Sequence, residues 1–262
     1  MLKLLKYEWK ACARTCLPLY GVLILMSLIS RILYVIPKNA SLDFMLPAIS
    51  SMLYMGVMMA AFVVTAVILI QRFYKNLLGS EGYLMFTLPV TVTQHLLSKT
   101  IIAVVMIALS GIAAFLSIGI FADMSFGTLF VDMIKGVARS GGLLFGLELL
   151  VLAVLGIAGM ALFLYMCIAL GHLASRHRLL MSIVWYVVLS TALQVLLLMV
   201  MMGAGNAVPE PFVDWMKVWW SGITPMGAAH LMLRFCCVFA LISDAVYFLV
   251  TRWILTHKLN LE

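Results

Sequence analysis

The sequence predicts an all-α integral membrane fold: six transmembrane helices behind an N-terminal amphipathic helix. Composition is the first reason. Of 262 residues, 65% are hydrophobic and 10% charged, and the mean hydropathy is +1.17. A soluble domain is nearer half apolar and a quarter charged, so this much apolar surface belongs in lipid. Patterning is the second. Apolar stretches lie at about 17–36, 46–70, 100–122, 142–171, 180–202 and 231–251, each near or above the ~20 residues that cross a hydrocarbon core. Length is the third, because six spans and their connections occupy 1–262 as a single transmembrane domain with no room for a soluble catalytic one.

Residues 1–16 open the chain. Leu2, Leu5, Trp9, Cys12 and Cys16 recur at helical spacing, and Lys3, Lys6, Lys10 and Arg14 line another face. That pattern predicts a helix lying in the headgroup plane. It does not predict a secretory signal, since the apolar stretch behind Arg14 is long enough to span and no small-residue cleavage site follows. The fourth stretch exceeds the bilayer and must tilt, kink or protrude. Gly142 and Gly146, then Gly156 and Gly159, predict close helix packing along it.

Orientation follows from Lys and Arg. On one side fall Lys3, Lys6, Lys10, Arg14, Arg72, Lys75, Lys99, Arg176, Arg178, Arg252 and Lys258; on the other Arg31, Lys38, Lys135, Arg139, Lys217 and Arg234. The richer side is cytoplasmic and carries both termini, as an even number of spans requires. The formal charge of +7 is therefore read as topology and contact with anionic lipid, not nucleic acid.

Cys12, Cys16, Cys167, Cys236 and Cys237 form no secreted-type framework. Cys12 and Cys16 are one turn apart, but no second Cys or His pair is near in sequence, so they read as an apolar helix face and no metal site is expected. His172 and His177 flank Arg176 and Arg178 in a short inner loop and read as interfacial anchors or as a contact with a soluble partner. The twenty Met residues read mostly as core filler, with an adaptable apolar path for varied substrates as the weaker alternative.

Two connections are more than turns: the cytoplasmic 71–99 and the outer 203–230. The first reads RFYKNLLGSEGYLMFTLPVTVTQHLLSK from Arg72 to Lys99. Gly79 and Gly82 flank Ser80 and Glu81, giving a break and then a helix start at which Glu81 suits the dipole. Tyr83, Leu84, Phe86 and Leu88 make a short apolar helix that Pro89 stops. Thr91 and Gln94 have the spacing of a capping box and open the helix that becomes the third span.

At RFYKNLLGSEGYLMFTLPVT the sequence resembles the loop between the second and third spans of ABC-2-type permeases from Gram-positive bacteria. The ending ILTHKLNLE resembles that group's C-terminal tail, and LLKYEWKACAR its N-terminal elbow helix. The resemblance implies an ABC-2, type V exporter-like fold in a bacterial cell membrane, with 1–16 as the elbow. It implies a second permease copy or paralogue and two ATP-hydrolysing partner subunits. It makes Ser80, Glu81, Gly82, Tyr83, Leu84, Phe86, Leu88 and Pro89 the coupling helix that docks on the ATPase. ATP and magnesium would sit on that partner, since this chain has no GxxxxGK[S/T] loop and binds no cofactor itself. Pro209–Pro225 would match an outer re-entrant segment, with Phe212, Trp215 and Trp219 on one helical face; an ordinary membrane-anchored loop fits those residues as well.

Intramembrane polar residues are the remaining candidates: Arg31, Glu148, Gln194, Arg234 and Asp244. A carboxylate in hydrocarbon needs a partner or a cavity, so Glu148 is expected to pair with Arg31 or Arg234. Asp244 and Gln194 either bond a neighbouring helix or line a path. No HExxH or GxSxG motif supports an intramembrane enzyme. No paired broken helices in two similar halves support an ion-coupled carrier or channel. The resemblance thus makes the expected function the non-enzymatic permease of an ABC exporter, its cargo hydrophobic or amphipathic: an antimicrobial peptide, a drug or a lipid.

Overall fold

The structure, a computed structural model, describes residues 2–35, 45–75, 91–122, 128, 131–132, 135–136, 142–174, 177–207, 222 and 224–257. Among the described residues there is no strand. The helices are α1 (Leu2–Val35), α2 (Met45–Phe73), α3 (Val92–Phe121), α4 (Gly142–Gly171), α5 (Arg178–Ala207) and α6 (Pro225–His257). All six are long and apolar enough to cross a membrane, which supports the reading of a multi-pass membrane protein. Most outrun the apolar stretches that signalled them, because polar turns continue the helix past the hydrocarbon edge. Thus α6 covers Pro225–His257 rather than 231–251, and α3 starts at Val92, behind the cap expected at Thr91. There the Thr91 N–H donates to Gln94 Oε1 at 3.4 Å, and the Thr91 carbonyl accepts from the Gln94 and His95 amides.

α1 differs from expectation. The sequence predicts a separate elbow over 1–16 with Cys12, Cys16 and Trp9 on its apolar face; instead one helix runs unbroken from Leu2 to Val35 and holds Pro18 inside it. The reason is a single buried stripe. Glu8, Cys12, Cys16, Tyr20, Leu23, Ser27 and Ser30 are all buried at spacings of three and four, while Trp9 faces outward. That stripe crosses the expected boundary without a change of face.

The chain forms two compact units, Met1–Gly136 and Val137–Glu262. In the first, α1 packs on both α2 and α3, and burial continues along nearly the whole length of all three. α3 makes this possible with small side chains, since Ala103, Ser110, Ala113, Ala114, Ser117 and Gly119 are buried and let backbones approach closely. Three sets of hydroxyls tie the helices. The Tyr20 hydroxyl donates to the Met106 carbonyl at 3.1 Å and lies 3.1 Å from Thr65 Oγ1. Thr65 gives its own single proton to the Ala61 carbonyl at 2.7 Å, so the Tyr20 proton is the one that Met106 and Thr65 share. Ser117 donates to the Ala114 carbonyl, so Tyr54 donates to Ser117 at 2.9 Å. Ser30 donates to the Ser50 carbonyl at 3.1 Å.

In the second unit α4 packs on α5 and α6. Its buried residues are confined to one end: Ala161, Leu162, Tyr165 to Ala169 and Gly171 on α4, Ser182 on α5, and Thr251, Ile254 and Leu255 on α6. A Cβ on Gly171 would lie 2.5 Å from Ser182 backbone atoms, so only glycine permits that crossing. Of the glycines expected to pack α4, Gly159 meets a neighbour, whereas a Cβ on Gly142 or Gly156 would meet nothing within 4 Å. Gly142 serves conformation instead, opening α4 at φ +80°.

Candidate functional site

The connection from α2 to α3 carries the strongest sequence signal, and the structure describes both of its roots. Arg72 lies in the last turn of α2, and Lys99 lies two turns into α3. Between them, residues 76–90 fall outside the described residues, and with them Ser80, Glu81, Gly82, Tyr83, Leu84, Phe86, Leu88 and Pro89. Phe212, Trp215 and Trp219 of the 203–230 connection and the tail from Lys258 onward fall outside them too.

The roots converge on Glu8. Lys99 Nζ donates to Glu8 Oε1 at 2.8 Å, with side chains only 4% and 8% exposed. Arg72 Nη1 lies 3.7 Å from Glu8 Oε2, and its side chain is 29% exposed. Lys99 Nζ also reaches the Arg72 carbonyl at 3.5 Å. One carboxylate on α1 thus bridges a base on α2 and another on α3. Sequence reasoning missed Glu8, placing it in an interfacial helix and giving it no partner. A signal was present: it is the sole acidic residue in α1, α2 and α3 together, and it precedes Cys12 and Cys16 at four-residue steps.

A second carboxylate cluster lies in the other unit. Glu148 Oε1 accepts from Arg234 Nε at 2.8 Å, and Glu148 Oε2 lies 2.6 Å from His230 Nδ1. Phe145 sets its ring edge-on to His230. Arg234 is one of the two partners expected for Glu148; the other, Arg31, is on α1 in the first unit. His230 was missed, though it stands one turn ahead of Arg234 on the same face of α6. Glu148 and His230 are 12% and 18% exposed, but Arg234 is 64% exposed.

Asp244 of α6 packs against α4 where Gly159 leaves a notch: a Cβ there would collide with Asp244 Oδ1. Close by in sequence, Phe163 makes an edge contact with Tyr247 and a tilted one with Tyr186. Gln194 is exposed on α5, and among the described residues it makes no hydrogen bond to a neighbouring helix. His172 sits in the turn after α4, where burial, and secondarily the charge of Arg178, lower its pKa from the ordinary value.

Among the described residues, these arrangements hold charges in place between helices. Among the described residues no group of three His, Cys, Asp or Glu side chains could hold a metal ion. The five cysteines are free, three of them buried. Compared with family models, with curated proteins and with solved structures, the chain matches none.

Proposed function

We propose that this chain is the membrane-spanning permease subunit of an ABC exporter, moving a hydrophobic or amphipathic cargo and driven by separate ATPase subunits. The observation that carries the reading is the segment Arg72–Thr91, which resembles the ATPase-coupling loop of ABC-2-type permeases. It joins the second and third of six helices able to cross a membrane. The anchoring of its two roots on one carboxylate supports it, because a loop that receives force needs a firm base. In this reading both termini face the cytoplasm, Ser80–Pro89 dock on the partner, and a second permease completes the pathway. ATP binding then shifts the helices between two packings.

The test is co-purification. Tagged chain extracted from its native membrane in mild detergent should bring down an ATP-hydrolysing protein. Leu84→Asp together with Phe86→Asp should release that protein while leaving the six-helix chain folded. A chain that stays alone, or a partner indifferent to both substitutions, rejects the proposal.

A second reading has one observation in its favour. Asp244, a carboxylate in the middle third of α6, suits an ion-coupled carrier. That carrier would transport in vesicles without any ATPase, and Asp244→Asn would abolish its ion dependence.

A further inference from the structure

The three-charge cluster at the roots of residues 76–90 has a second partner along α1. Glu8 ties the first part of α1 to Arg72 and Lys99. Three turns on, Tyr20 ties the same helix to Thr65 of α2 and to the Met106 carbonyl of α3. Pro18 lies between the two knots. Proline lacks the N–H that would bond to the residue four positions earlier, so a helix is least stiff there. Residues 2–16 are therefore held to the rest of the unit chiefly by what their own buried face grips. The one charged grip on that face is Glu8, with no other acidic residue on α1, α2 or α3 to replace it.

We propose that Glu8 is a positioning residue that makes residues 2–16 travel with both roots of the 76–90 segment. A push on that segment then swings the start of α1 about Pro18 instead of being absorbed between α2 and α3. The inference deepens the exporter reading, and rests on it for the source of the push. The mechanical link does not need an ATPase to be measured.

The experiment uses the full chain in lipid nanodiscs, with Cys236 and Cys237 replaced by serine, since the other three cysteines are buried. Spin labels go on the exposed positions Tyr7, Gln71 and Leu97 in pairs, and inter-label distances are read by double electron–electron resonance. Glu8→Gln should about double the width of the Tyr7–Gln71 and Tyr7–Leu97 distributions while leaving Gln71–Leu97 as it was. Exchanging the charges, Glu8→Lys with Lys99→Glu, should narrow them again; a loss of packing alone would not be repaired by that exchange. If Glu8→Gln yields too little folded chain, Glu8→Asp should give an intermediate width. Unchanged widths in Glu8→Gln, or widths that the exchange does not restore, overturn the proposal. Adding the co-purified ATPase with ATP and vanadate should shift Tyr7 at constant distance from Gln71 and Leu97. If no ATPase is found, the exporter reading fails, while the widths still decide the role of Glu8.

Discussion

Each unit holds one carboxylate between two bases, yet the two clusters differ in seclusion. Glu8 and Lys99 are sealed among three helices, with Arg72 at the edge, whereas Glu148 holds an Arg234 that is mostly exposed. The units differ in the same sense. The first is buried and tied along nearly its whole length; the second is tightly packed at one end and open at the end that carries Glu148. A sealed charge pair is costly to break, because the survivor stays away from water. An exposed one can trade its partner for solvent or a lipid headgroup. The lesson is that the first unit keeps its charge pair enclosed, whereas the second leaves one partner of its pair open to exchange.

The sharpest way to break this comparison is to remove both carboxylates in turn. Glu8→Ala strands Lys99 in the interior and should destabilise the detergent-solubilised chain by about 3–5 kcal/mol, read by thermal or denaturant unfolding. Glu148→Ala should cost clearly less, since Arg234 is not enclosed by the chain and its long side chain can reach toward the headgroups; an equal cost would erase the distinction.

Next come the glycines of the second unit. Gly171→Ala drives a methyl into the Ser182 backbone and should cost about 1–3 kcal/mol through forced separation of α4 and α5. Gly159→Ala meets the movable end of Asp244 instead, so its melting temperature should fall less. The reverse order would mean that the Asp244 contact, not the α4–α5 crossing, holds this unit.

Tyr20→Phe removes the hydroxyl that bonds both the Met106 carbonyl and Thr65. A loss of about 1 kcal/mol is expected, and it should add to Glu8→Gln if the two knots are independent. Measured coupling between them would mean that Pro18 does not loosen α1.

The smallest effect is a pH dependence from His172. Its folded pKa is lowered by burial and then by Arg178, so the unfolded chain binds the proton more readily. Stability from the neutral ring is therefore present above the ordinary pKa of about 6.5. It declines as pH falls below that value toward the folded pKa. His172→Gln should flatten the melting temperature between about pH 7 and 5, and only in the second unit's part of the transition.

Much of this architecture was legible in the residues. Hydropathy gave six helices because each must satisfy its own backbone in lipid. The limits of α4 were read to the residue, and Thr91 with Gln94 marked the start of α3, since caps are local chemistry. The continuity of α1 was not legible. Exposed Lys3, Lys6, Lys10 and Arg14 mimic an interfacial helix, while the stripe from Glu8 through Tyr20 shows its purpose only against α2 and α3. The Glu8–Lys99 and Glu148–His230 pairs span 91 and 82 positions, and no periodicity announces a partner so distant. The Glu148–Arg234 pair was anticipated because an intramembrane carboxylate needs a base and few were on offer.

Helix length carries a last consequence. At ~1.5 Å per residue, α1 is about 51 Å from end to end and α6 about 50 Å, against roughly 30 Å of hydrocarbon. Neither helix end can therefore register where the oil stops. Immersion depth is set by where the lysines and arginines begin, so moving one basic ring by a turn would raise or sink the whole molecule without altering a helix.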